Sequence, residues 1–230
     1  MKHSILPVIS ALVCLILASP VAYAAGRVKV RGAKENPEGG ITAGAASAYR
    51  GPNGATGIRA HVLTTDGAGN GKFVSGAKGV TANGSSYGRA GSTSFGANGA
   101  FNHQSGGYVL GAGGGYAARK GSTVRNSDGS LAHNASASGS NANGAFDTSG
   151  QFNRNADGSY AGARSTTASG ANGSYSGTTQ YANGSGNHAT DYTAKNGDTY
   201  TGDTSWTKGQ GVSHTGTCKD AAGNVITCPR

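Results

Sequence analysis

The sequence predicts an all-β protein: a Gly/Asn-rich repeat of short strands stacked as a β-solenoid-like array. Three observations carry the prediction. The chain holds 42 glycines in 230 residues, a load that disfavours helix nearly everywhere. The phrase Asn/Asp-Gly-Ser/Ala-aromatic recurs as Asn98-Gly99-Ala100-Phe101, Asn143-Gly144-Ala145-Phe146, Asp157-Gly158-Ser159-Tyr160 and Asn172-Gly173-Ser174-Tyr175, with Asp128-Gly129-Ser130-Leu131 a close variant. A large side chain returns every 14 or 15 residues, at Ile58, Phe73, Tyr87, Phe101, Tyr116, Leu131, Phe146, Tyr160 and Tyr175.

Asn-Gly and Asp-Gly supply the positive φ that tight reverse turns require. A second large residue follows several ladder positions by about seven residues, as with Val80, Phe95, Val109, Val124, Phe152 and Tyr181. Each unit is therefore expected to hold two short strands and two turns. So short a unit cannot bury an apolar face alone, and copies must stack. Stacked at about 4.8 Å, equivalent side chains would form one aromatic column. An antiparallel β-meander is the alternative, because the same turns join consecutive hairpins. A largely disordered chain is a further alternative, because only 20 of the 206 residues from Ala25 onward are Leu, Ile, Val or Phe. A membrane-spanning barrel is disfavoured, since no strand candidate carries a continuous lipid-facing apolar band.

The elements follow in chain order. Residues 1–24 read as a signal peptide and its helix: Met1-Lys2-His3 is a short positive start, Ile5 to Leu17 an apolar stretch, and Ala22-Tyr23-Ala24 a small-x-small exit, with cleavage expected between Ala24 and Ala25. Residues 25–50 are a basic strand and linker. Arg27-Val28-Lys29-Val30-Arg31 alternates strictly, as an edge strand, a basic arm or a solvated tail would, and Arg27, Lys29 and Arg31 are candidate anion-binding residues. Lys34 to Gly40, with Pro37, reads as the linker. Residues 51–182 are the 14–15-residue repeats. Residues 183–230 hold looser units on Asn183-Gly184, Asn196-Gly197 and Gly209, ending in a hairpin capped by a Cys218–Cys228 disulfide.

Charge is unevenly spread. From Ala25 to Ser130 there are 12 basic and 4 acidic residues; from Leu131 to Arg230 there are 6 of each. The first half thus favours anionic partners such as acidic polysaccharide, lipid head groups or extracellular nucleic acid.

Catalytic, cofactor and metal residues are not expected. Ser and Thr are everywhere without a local nucleophile signature. His61, His103, His133, His188 and His214 are far apart and lack close ligand spacing. His103 and His133 are expected to share one exposed column. Asp198 and Asp203 lie near in sequence with nothing to bury them, and Gly67-Ala68-Gly69-Asn70-Gly71-Lys72 lacks phosphate-loop spacing.

The composition, with its aromatic ladder, Asn-rich turns and no Pro between Asn53 and Cys228, is similar in general character to that of secreted functional amyloids such as curli subunits. That family's spaced Ser, Gln and Asn repeat is not reproduced, Gln being rare. The expected function is that of a secreted or cell-envelope structural repeat protein able to self-assemble in an extracellular matrix. The alternative is a surface binding module for anionic polysaccharide or nucleic acid. Expected partners are the protein itself or anionic envelope and matrix polymers, with no specific nucleic acid, no cofactor and no transmembrane segment after cleavage. The expected place is the periplasm, the cell surface or the exterior.

Overall fold

A computed structural model describes residues 25–228; the expected signal peptide, including Ala24, lies outside them. The described chain is all-β. It runs through β1 (Gly26–Glu35), β2 (Ile41–Arg50), β3 (Thr56–Thr65), β4 (Gly71–Val80), β5 (Ser86–Phe95), β6 (Phe101–Leu110), β7 (Tyr116–Arg125), β8 (Leu131–Asn141), β9 (Gly144–Arg154), β10 (Tyr160–Gly170), β11 (Gly173–Ala182), β12 (Ser185–Ala194), β13 (Thr199–Thr207), β14 (Gly211–Lys219) and β15 (Val225–Ile226). Among the described residues these form one open 15-stranded sheet in sequence order.

Every neighbouring pair is antiparallel, so the arrangement is the meander and not a stacked solenoid. The reason is the content of one repeat. Each 14–15-residue unit is a single strand of about ten residues and one turn, not the two short strands and two turns expected from the spacing. A one-turn unit reverses the chain, and its neighbour must run the other way.

The turns explain the period. In the loop Gly96 to Ala100, the Gly96 amide donates to the Ala100 carbonyl at 2.9 Å and the Gly99 amide to the Gly96 carbonyl at 3.0 Å, with Gly99 at φ 80°. This is the three-residue hairpin loop in which a type I turn ends on a left-handed glycine. Left-handed glycines recur at 39, 54, 69, 84, 99, 114 and 129, fifteen apart. From β8 onward some turns shorten. Between β11 and β12 the turn is Asn183-Gly184 with both φ positive, at 48° and 89°, the type I′ form.

Lys34 and Glu35 end β1, and Asn36 to Gly40 form the hairpin turn into β2 where a linker was expected. Asn36 organises it, accepting the Gly40 amide at 3.0 Å while its Nδ2 donates to the Thr65 carbonyl at 2.7 Å. At the far end Cys218 and Cys228 are bonded, with Cα atoms 5.2 Å apart, closing the β14–β15 hairpin around the Asp220–Asn224 turn.

No second layer covers either face of the sheet among the described residues. The buried positions there are Gly40, Gly57, Gly88, Gly139, Gly177 and Cys218. Large rings supply the missing burial by lying across glycines: a Cβ added at Gly57 would meet Tyr49, at Gly88 Tyr108, at Gly139 Phe146 and at Gly162 Tyr181. An aromatic side chain laid over a glycine shields backbone that would otherwise face water, which compensates for glycine's weakness in a strand.

Candidate anion-binding face

Side chains alternate between the two faces of a strand, and directly paired residues share a face. The register therefore sorts the chain. One face, called here the basic face, carries Arg27, Lys29, Arg31, Arg59, Arg89, Arg119, Arg125, Arg154 and Arg164 against a single carboxylate, Glu35. The five histidines beyond the signal region, His61, His103, His133, His188 and His214, stand on the same face. The opposite face holds the strand carboxylates Asp147, Asp191 and Asp203 together with Lys34, Arg50, Lys72, Lys78, Lys120 and Lys219. Cations are thus sorted by type as well as by place: every strand arginine but Arg50 stands on the basic face, and most strand lysines stand on the other.

The centre of the basic face has an ordered row. Lys29 pairs with Ser47, Ser47 with Arg59, Arg59 with Ala77, Ala77 with Arg89, Arg89 with Gly107, Gly107 with Arg119 and Arg119 with Ala137. Cation and small residue alternate strand by strand, so the four cations stand two strands apart, about 9–10 Å at normal strand spacing. All four are exposed. Arg59 Nε donates to Ser47 Oγ at 3.0 Å, which holds its stem along the row. This part of the sheet is concave: a groove of about 1750 Å³ is lined by Lys29, Arg31, Arg59, His61, Arg89, His103, Arg119, His133 and Arg164 among others.

The next two rows of this face carry cross-strand Thr–His pairs. Thr93 Oγ1 is 2.7 Å from His103 Nδ1, and Thr123–His133, Thr179–His188 and Thr204–His214 repeat the contact at 2.8 Å each. His103 and His133 occupy one register row, separated by Thr123. Four of the five imidazoles thus have a threonine partner, while His61 lies near the Phe73 ring, and no group of three or more His, Cys, Asp or Glu side chains gathers in metal-binding proximity among the described residues.

On the other flank, the hydroxyls of Tyr49 and Tyr87 meet at 3.3 Å, and this hydrogen bond is the main reason the Tyr87 phenol is pushed above its usual range. At the turns, Asp66, Asp128, Asp157 and Asp220 all have carboxyls held below the ordinary carboxylate range. The first-ranking cause is a side-chain hydrogen bond, from Asn70, Ser130, Ser159 and Asn224 respectively, with turn amides adding to it. These acids serve local turns and do not neutralise the row.

Arg27, Lys29 and Arg31 fall together on the basic face of edge strand β1. Arg59, Arg89 and Arg119 were missed by reading the sequence for large apolar side chains, yet their numbers carried the signal: 29, 59, 89 and 119 are spaced by 30, two repeats. The aromatic ladder, in contrast, is not one column. Its members sit near strand starts, and because strands alternate in direction, Tyr87 and Phe146 line one end of the sheet while Phe101, Leu131 and Tyr160 line the other. Ile58 and Tyr116 even face the opposite side.

The fold and this face define an open, single-layer antiparallel meander with one guanidinium-rich surface. No family model, no sequence of a curated protein and no solved structure matches the chain.

Proposed function

We propose that this is an exported envelope or matrix protein whose basic face holds anionic polymers. The observation that supports the reading best is the segregation of eight arginines and Lys29 to one exposed face with one carboxylate among them. A neutral scaffold would not need that sorting. A polyanion laid along the groove meets a field of one sign, which steers and holds it. The Cys218–Cys228 bond fits an oxidising compartment, in keeping with export and cleavage after Ala24. The reading assigns adhesion to this face, because what it presents to solvent is a set of exposed cations.

Retention of the chain 25–230 on immobilised heparin tests it. Elution should move to higher salt for the native protein than for a variant with Arg59, Arg89, Arg119 and Arg164 changed to Gln. Absence of retention at low salt would overturn the proposal.

A second reading, self-assembly, has its own support. On the opposite face of β1 to β7, Val28, Val30, Ile58, Val62 and Tyr108 stand beside Lys34 and Lys78 around a hollow of about 1100 Å³. Val30 and Tyr108 are 44% and 46% exposed there, an apolar surface that stacking on a second copy would cover. Sizing of the mature chain and a 4.7–4.8 Å fibre reflection test this reading; a monomer at all concentrations would remove it.

A further inference from the structure

The geometry points to a more specific ligand for the basic face: a linear acidic polysaccharide carrying one acidic group on every second sugar, running across the strands along Lys29, Arg59, Arg89 and Arg119. The inference rests on the polyanion reading above and adds a register to it.

Three observations carry it. The spacing comes first. Successive cations are separated by one strand bearing a small residue, a repeat of about 9–10 Å that two extended sugar rings span comfortably. The phosphates of a stacked nucleic-acid strand recur about every 3.4 Å, so a row at this spacing would meet only every third one. Steric access comes second. Ala77 and Gly107 leave open floor between Arg59, Arg89 and Arg119, and a bulky sugar ring can settle there where a larger side chain would lift it away. The third is the flank. Tyr49 and Tyr87 lie over Gly57 and Gly79 with their rings spread along the row's edge, offering flat apolar faces to the C–H faces of sugars. Neither the row nor the two rows beside it on this face contains an Asp or Glu, so nothing in the protein competes for the arginines from within the face.

Each guanidinium can engage a carboxylate through two parallel N–H bonds, which rewards a polymer whose acids arrive in step with the arginines. A polymer with an acid on every sugar leaves half of its charges over small residues.

The test measures binding of the chain 25–230 to three size-matched probes: hyaluronan oligosaccharides, with one carboxylate per disaccharide; polygalacturonate oligosaccharides, with one per sugar; and oligo-dT. Three variants accompany it. R59Q/R89Q/R119Q removes the row, and K72Q/K78Q/K120Q removes three charges from the opposite face. A third, A77R/R89A, keeps the charge but breaks the spacing. The expected result is hyaluronan bound most tightly per charge, weakened at least tenfold by the row variant and by the spacing variant, and less than twofold by the opposite-face variant. Equal affinity per charge for all three probes, or a spacing variant that binds hyaluronan like the native chain, overturns the register while leaving a general polyanion surface. Preferred binding of oligo-dT overturns it in favour of nucleic acid. No binding to any probe removes both readings.

Discussion

The hydroxyls of Tyr49 and Tyr87 meet 3.3 Å apart although the residues stand on β2 and β5, because Gly57 and Gly79 between them carry no side chains. The pair closes a two-strand gap that alanines would hold open. Tyr49→Phe removes the hydrogen bond that chiefly raises the Tyr87 phenol, so Tyr87 should then ionise at lower pH than in the native protein. Ultraviolet phenolate titration checks it, and an unchanged Tyr87 transition would show that the two hydroxyls do not interact in solution.

Thr93 with His103 and Thr123 with His133 make the same half-buried contact in successive hairpins. Thr93→Val keeps the shape and loses the hydroxyl, and should cost about 1 kcal/mol in urea unfolding. Thr123→Val should cost a similar amount, and the double variant should add to within about 0.5 kcal/mol, because each histidine has its own partner. Strong non-additivity would mean that the line of pairs acts as one network.

The strand composition and the turns were legible in the sequence because both are local. Asn98-Gly99 demands positive φ at Gly99 wherever it stands, and Arg27 to Arg31 alternates at the period of a strand. What misled was the ladder. Tyr87 and Phe101 look equivalent by spacing, yet antiparallel pairing sends them to opposite ends of the sheet, since a strand start and its neighbour's start never lie side by side. The basic row was invisible for the converse reason. Arg59 and Arg89 lie two repeats apart, and only a meander whose unit is one strand brings a 30-residue interval back to the same face and the same end. Deciding how many strands a repeat holds was the step that local pattern could not supply.

Gly99 and Gly32 should respond oppositely to alanine. Gly99 lies at φ 80°, where a side chain is strained, and Gly99→Ala should destabilise by about 1–2 kcal/mol. Gly32 lies inside β1 with nothing within 4 Å of an added Cβ and no positive φ, so Gly32→Ala should stabilise by about 0.5–1 kcal/mol. Denaturant midpoints of the two variants check the contrast, which fails if both shift the same way.

Acid should loosen the turns before it affects the arginines. Asp66, Asp128, Asp157 and Asp220 have carboxyls depressed by turn hydrogen bonds, so their contribution to stability is fully present above the ordinary Asp value of about 3.9. It is lost as pH falls below that value through the depressed folded ones, because the unfolded chain takes up protons first. Asp128 and Asp157 are exposed and Asp66 and Asp220 only partly covered, so the effect is local and modest. Asp157→Asn should flatten the pH dependence of the Ser159 amide signal, whose bond to Asp157 Oδ1 is 2.8 Å, while leaving that of Ser130 unchanged. A Ser159 amide that still titrates in the variant would place its pH response elsewhere.

The Cys218–Cys228 bond should protect the last hairpin and not the whole sheet. β15 pairs with β14 through only Cys218–Ile226 and Lys219–Val225, too little ladder to hold a strand by itself. Closing this loop contributes roughly 2–3 kcal/mol by chain entropy, and β14 is the strand it shelters. In a meander each strand touches only its neighbours, so loss at one end propagates weakly. Cys218→Ser with Cys228→Ser should therefore speed amide exchange across β14 and β13 by tenfold or more, leaving β3 to β7 within twofold of native. Uniform acceleration through β3 would instead mean that the sheet unfolds as one cooperative unit, with the terminal staple setting the stability of the basic row as well.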